Sequence, residues 1–260
     1  MNMGKSLTTL LRDGFILVFN QDKLDIVKTA EALIQAGINN MEVTCRIKKP
    51  LEKITQLRKA LPDFVAGAAS LIDNPQFLKI YNAQHSDDKL PGIDKVIDAG
   101  ANYLVSAANF RQETYGEYAG KLPMIPGCGT VSEIVTQFSL GANFIKIFPA
   151  KQLGGPGFVK AIDPAIHKTI SIVPTGGTNC DNIPDYVDAG ILVLGGSFSS
   201  IPKEMFSSIV ENQDYKLLSV ELTKIKKLID EVRAKKWQQI DFSTASVEQI
   251  SEITGRNFNL

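Results

Sequence analysis

The stretch Gly141-Ala142-Asn143-Phe144-Ile145-Lys146-Ile147-Phe148-Pro149-Ala150 sets a single lysine inside an apolar run. Consecutive apolar positions read as a strand covered on both faces, the pattern of a parallel sheet. Side chains alternate along a strand, so Phe144, Lys146 and Phe148 share one face and Ile145 and Ile147 the other. Pro149 ends the strand, because it has no N–H to give to the ladder. An ammonium on the aromatic face of a sheet is costly unless it is paired or neutral. Burial favours the neutral amine, which is a nucleophile toward carbonyls. The competing reading is a lysine that snorkels out at the strand end, and this stretch alone leaves both open.

The rest of the chain repeats the same unit. Apolar strands are predicted at 15–19, 40–46, 64–69, 103–106, 124–126, 144–148, 171–174 and 191–194, nearly all separated by helical patterns. Helices stop at Gly37, Gly100, Gly141 and Gly190, and each time an apolar strand begins a few residues later. Asn74-Pro75 reads as an N-cap followed by a first-turn proline, and Thr130 with Glu133 as a capping box. Strict alternation implies parallel pairing with right-handed crossovers, which an open sheet and a closed barrel both satisfy. Polar residues decide between them. Glu42, Thr44, Arg46, Lys146, Thr175 and Ser197 fall within strands or just past their C-terminal ends, the active-site edge of a barrel. No Gly-rich fingerprint follows the first strand, as a dinucleotide-binding open sheet would have. The fold class is therefore α/β, a TIM (β/α)8 barrel with a C-terminal helical extension. The barrel is expected over residues 1–211, with 202–210 as its last helix. Residues 212–260 are expected to form an amphipathic helix and a tail, the helix packed on its own barrel and the tail reaching toward a neighbouring subunit.

At 260 residues the chain suits one such barrel, which commonly runs to about 250. Lys+Arg and Asp+Glu balance at 28 each, which argues against a nucleic-acid partner. No apolar run approaches the ~20 residues of a membrane span, and the N-terminus has no signal-peptide core. Cys45, Cys128 and Cys180 are scattered and odd in number, fitting a reducing cytoplasm. His85 and His167 are the only histidines, so a histidine-based metal site is not expected. Residues 82–92 read as a surface loop inserted into a helical connection.

Glu42 and Arg46 on one face of the second strand offer a carboxylate for proton transfer and a guanidinium for a substrate carboxylate. They equally read as an ordinary pair closing a barrel end. Gly176-Gly177 follows the seventh strand and Gly195-Gly196-Ser197 the eighth, where backbone N–H groups of barrels commonly hold phosphate.

Five segments in order, Glu42-Val43-Thr44-Cys45-Arg46, the run from Pro126 to Glu133, Lys146-Ile147-Phe148-Pro149-Ala150, Pro174-Thr175-Gly176-Gly177 and Gly195-Gly196-Ser197, carry a resemblance. The chain resembles the 2-keto-3-deoxy-6-phosphogluconate / 4-hydroxy-2-oxoglutarate aldolase family of class I aldolases. The resemblance implies a homotrimeric barrel that uses no metal or cofactor and acts on a small keto acid. It implies Lys146 as Schiff-base lysine, Glu42 as general acid/base, and Arg46 with Thr130 at the substrate carboxylate. Phe148, Ser70 and Ala107 would line the pocket, and Gly176, Gly177, Gly196 and Ser197 would hold a phosphate. The chain departs from the family pattern at Ala69-Ser70, Ser106-Ala107 and Lys151, which touches the substrate more than the chemistry. A phosphate-binding barrel of another type, or a non-catalytic keto-acid-binding barrel, remain as other readings.

Overall fold

The computed structural model describes residues 3–260. Its strands are β1 (Phe15–Phe19), β2 (Asn40–Thr44), β3 (Val65–Leu71), β4 (Tyr103–Ser106), β5 (Met124–Ile125), β6 (Gly127–Cys128), β7 (Ile145–Ile147), β8 (Ile172–Pro174) and β9 (Leu194–Ser197). Its helices begin with α1 (Met3–Asp13), α2 (Ile26–Gln35), α3 (Pro50–Ala60), α4 (Pro75–Gln84), α5 (Ile93–Asp98) and α6 (Gln112–Tyr118). They continue with α7 (Val131–Ser139), α8 (Gly155–Ala161), α9 (Pro164–Thr169), α10 (Ile183–Asp188), α11 (Lys203–Asn212), α12 (Tyr215–Lys236) and α13 (Val247–Thr254).

Every strand pair is parallel. One ladder runs β5-β4-β3-β2-β1-β9 and a second runs β6-β7-β8. β5 and β6 are the two halves of one stave, separated at Pro126, which cannot donate to a ladder. A parallel bridge between Thr175 and Gly195 joins β8 to β9 and completes the ring. The fold is a TIM barrel of eight staves. Alternation sends Ile16, Val65, Tyr103, Phe144, Val173 and Val193 into the barrel, where they form one buried cluster. Leu17, Met41, Val43, Ile145 and Leu194 face outward into a second cluster under the helices.

Three expectations change. The eighth stave is Leu194–Ser197 and not residues 191–194, so Gly195-Gly196-Ser197 lies within the strand. Ile191, Leu192 and Val193 are buried but have no neighbour to pair with, because β1 starts only at Phe15, opposite Leu194. The helix that completes the outer ring is α12, not the segment 202–210. Ile209 is the one buried residue of α11, whereas α12 buries Leu218, Leu222, Ile225 and Ile229 and lies against both α2 and α10. The tail is folded under its own barrel. Ile240, Phe242, Val247, Ile250 and Phe258 join Leu7, Leu10 and Leu11 of α1 across the N-terminal end. Asn143 secures it: its amide donates to the Phe258 carbonyl at 2.7 Å and its oxygen accepts from the Met124 N–H. Phe258 packs on Phe144, beneath the lysine strand, with ring centroids 5.5 Å apart.

Phe258→Ala should cost about 3–5 kcal/mol, the range for a buried phenylalanine. Urea denaturation reads this as a lower midpoint; an unchanged midpoint would mean that the tail is no part of the cooperative unit.

Asp13 closes α1 at the same end. Burial pushes its carboxyl up from 3.8 to about 6, against the hydrogen bonds from Asn40 and Asn39 and the nearby Lys226 charge. A folded-state value above the unfolded one means that the native state holds the proton more tightly. The resulting stability is complete below pH 3.8 and is lost as pH rises through about 6. Asp13→Asn can accept the same two bonds without a charge. Melting temperatures of wild type relative to this variant should therefore fall as pH is raised from about 4 to about 6. Parallel pH profiles for the two proteins would contradict the assignment.

Candidate active site

Lys146 is the middle residue of β7 and is 5% exposed. Glu42 on β2, 3% exposed, faces it from the opposite wall of the ring. The Lys146 Nζ donates to Glu42 Oε1 at 3.0 Å. The lysine is thus paired inside the barrel and does not snorkel out. Removing either partner would leave a buried charge uncompensated, at a cost of about 3–5 kcal/mol. Phe148, two residues on and half-exposed at the mouth, sets its ring 5.5 Å from Lys146 Nζ.

β2 ends at Thr44, so Arg46 projects from the following turn and is exposed. Its Nε donates to Ser70 Oγ at 3.0 Å. The register of β3 against β4 slips between Ala68 and Leu71, and Ser70 at that irregularity adopts φ +59°. A non-glycine residue in the left-handed region costs roughly 1–2 kcal/mol and persists where its surroundings demand it. Here the conformation presents the hydroxyl to Arg46.

These groups surround a cavity of about 470 Å³ at the C-terminal end of the barrel. Of the residues named from the sequence, Lys146, Glu42, Arg46, Ser70, Phe148, Ala107, Gly176 and Ser197 all line it. Thr130, Gly177 and Gly196 are outside the lining. Thr130 is the N-cap of α7, where its hydroxyl accepts from the Glu133 N–H and donates to the Glu133 carboxylate. Cys45 and Cys128 lie outside the lining, in the cluster under the helices, and burial pushes both thiols up to about 12, so they stay protonated and poorly nucleophilic.

Several lining residues escaped the sequence reading. Asn20, just past β1, adds a polar group beside Ser197, and Thr175, 5% exposed and already placed on this edge by the sequence though not singled out for the pocket, adds another beside Gly176. The signal for Thr175 was its place directly before the glycine pair. Ile72, Phe77, Tyr81 and Leu90 make the opposite wall apolar. Phe77 and Tyr81 stack on the face of α4 at 6.1 Å, and Tyr81 meets His85 at 4.3 Å, a spacing of four residues that was visible in the chain. Leu90 belongs to the segment 82–92, expected to be a surface loop. Asn82 clamps it through both side-chain groups, accepting from the Leu90 N–H and donating to its carbonyl.

A family model for KDPG and KHG aldolases, the family the motifs resemble, matches residues 11–218. The chain belongs to this family. This aldolase is 30% identical over 200 residues to the KHG/KDPG aldolase of Escherichia coli (strain K12), covering 76% of this chain and 86% of that one. It is 31% identical over 173 residues to the 2-dehydro-3-deoxy-phosphogluconate aldolase of Dickeya dadantii, covering 66% of this chain and 73% of that one. Among solved structures, the KDPG aldolase of Legionella pneumophila, with pyruvate captured as a covalent carbinolamine, superposes with a TM-score of 0.67 at 26% identity. That match covers 85% of this chain and 97% of the other. Thiamine phosphate pyrophosphorylase of Pyrococcus furiosus, at TM-score 0.58 and 16% identity, shares the fold. The chain is a class I aldolase, a carbon–carbon lyase acting on a 2-keto-4-hydroxy acid.

Ser70→Ala removes the hydroxyl that orients Arg46. A hydrogen bond to a charged group is worth about 1.5–3 kcal/mol, so KM for the keto acid should rise roughly tenfold or more. Steady-state kinetics that leave KM unchanged would show that Ser70 does not hold Arg46 for substrate.

Proposed function

We propose that this aldolase cleaves 2-keto-3-deoxy-6-phosphogluconate to pyruvate and glyceraldehyde 3-phosphate through an imine on Lys146. The observation that carries the reading is the 3.0 Å contact between Lys146 Nζ and Glu42 Oε1 inside a cavity that opens to solvent. In this reading Glu42 takes a proton from the ammonium across that contact. The neutral amine attacks C2 of the keto acid, whose carboxylate lies at Arg46 and Ser70. The carbinolamine loses its hydroxyl as water, with Glu42 returning the proton, and a protonated imine forms. Glu42 next removes the C4 hydroxyl proton. The C3–C4 bond breaks, its electron pair moves toward the imine nitrogen, and the aldehyde leaves. The proton held by Glu42 goes to C3 of the enamine, and water releases pyruvate from Lys146. Acid–base help of this kind is worth about 10²–10⁴ in rate.

The far end of the substrate would cross staves seven and eight, toward Gly176, Gly177, Gly196 and Ser197. There the backbone and the Ser197 hydroxyl suit phosphate oxygens. One observation favours the shorter alternative, 4-hydroxy-2-oxoglutarate cleaved to pyruvate and glyoxylate. Apart from Lys146 and Arg46, no lysine or arginine is among the residues lining the cavity. The assembly inferred from the family is a homotrimer. The described cysteines are free, with Cys180 exposed, which supports a reducing compartment such as the cytoplasm.

Borohydride in the presence of pyruvate should fix an adduct on Lys146 of the wild type and none on Lys146→Arg, which should also lose cleavage. Glu42→Gln should still trap pyruvate, more slowly, while losing most turnover. Cleavage by Lys146→Arg would end the Schiff-base reading. The two substrates are separated by kcat/KM; a preference for the five-carbon diacid would replace the phosphorylated assignment.

A further inference from the structure

Below the reacting pair, the barrel interior holds a second polar assembly that the chemistry above does not use. The register aligns Glu42 with Gly67 and Gly67 with Tyr103, so the three sit side by side on β2, β3 and β4. Gly67 has no side chain, and the Tyr103 ring takes its place: a Cβ on Gly67 would lie 2.2 Å from that ring. The tyrosine therefore leans across β3 toward β2, and its hydroxyl donates to Asn40 Oδ1 at 3.3 Å. Asn40 is two residues from Glu42 on the same inward face. Its amide cannot turn, because both hydrogens are used. One goes to Asp13 Oδ2 at 2.7 Å and one to the Phe15 carbonyl at 2.9 Å. Asp13 Oδ2 is itself fixed by the Asn39 N–H at 2.6 Å. Tyr103 and Asn40 are fully buried, and Asp13 is 3% exposed. Burial, with Glu42 and Asp13 nearby, pushes the Tyr103 phenol well above its ordinary value, so the hydroxyl stays a donor.

Glu42 needs such a support. Among the described residues, its one hydrogen bond in the resting site comes from Lys146. An ammonium has three N–H groups, whereas a protonated imine has one, and its nitrogen is tied to the substrate. The bond that orients Glu42 at rest is thus not guaranteed when Glu42 must reach the C4 hydroxyl. The Tyr103 ring, standing over Gly67 next to Glu42 in the register, is the group in position to supply that constraint through the whole cycle.

We propose that Tyr103, locked by Asn40 and Asp13, is a positioning residue that holds the Glu42 carboxylate on the reacting carbons while Lys146 is an imine. The inference rests on the Schiff-base reading of the site.

Tyr103→Phe keeps the ring and removes only its tether. It should lower kcat for cleavage about tenfold, with KM and the yield of borohydride-trapped pyruvate within about twofold of wild type. In a Glu42→Gln background the same change should cost less than about twofold, because nothing remains to be positioned. Asn40→Ala frees the same hydroxyl without touching the ring and should lower kcat in the same direction, read well below its melting temperature. Wild-type turnover by Tyr103→Phe, or a loss of equal size with and without Glu42, would overturn the proposal. Failure of the wild type to trap pyruvate would instead strike at the Schiff-base reading.

Discussion

The contact between Lys146 and Glu42 depends on the ring being closed. The two residues sit on staves six and two, and neither reaches the other on an open sheet. Closure is completed at one narrow place, the bridge from Thr175 to Gly195. Gly195 is required there: a Cβ would lie 2.2 Å from Thr175 Oγ1. Thr178 reinforces the joint by donating to the Gly195 carbonyl at 2.6 Å. Two charges withdrawn from water are expensive, and their attraction offsets that cost only when the geometry is kept. The barrel keeps it, and so holds a buried lysine and a carboxylate side by side in a small cavity.

The cavity itself is two-sided. Thr175, Gly176, Ser197 and Asn20 offer hydroxyls, an amide and backbone groups on one flank. Ile72, Phe77, Tyr81 and Leu90 present carbon on the other. Arg46 leans toward the apolar flank through Ser70, so a keto acid bound as proposed, with its carboxylate at Arg46, would leave the polar flank for the rest of the substrate.

Much of this was legible in the chain, for local reasons. The alternation around Lys146, the Asn74 cap and the Thr130–Glu133 capping box depend on neighbours a few residues apart, and each is present. The features that escaped depend on partners distant in sequence. Residues 191–193 have strand composition but no strand beside them. α11 and α12 both have helical patterns, and only the fit of the longer apolar stripe between α2 and α10 decides which one joins the ring. The polar tail gave few signs of its role because its apolar residues are widely spaced and meet only under the barrel. Leu90 lies in a stretch whose polarity pointed to solvent, yet the Asn82 clamp turns it inward.

Arg233 of α12 gathers three of these distant parts. It is fully buried, and no carboxylate among the described residues lies within ion-pair distance of it. Its guanidinium donates to the Leu11 and Arg12 carbonyls at the C-terminal end of α1, where the helix dipole favours a cation. Phe242 of the tail covers its face, 3.5 Å from ring centroid to Cζ. Gly14 makes room, since a Cβ there would lie 2.1 Å from Nη1 at a φ of +68°. The first helix, the last ring helix and the tail therefore share one buried cation that none of them can hydrate alone. In hydrogen-exchange terms, they form a single opening unit: lifting any one exposes the charge that the other two were holding, so the floor of the barrel has no element that can fray separately.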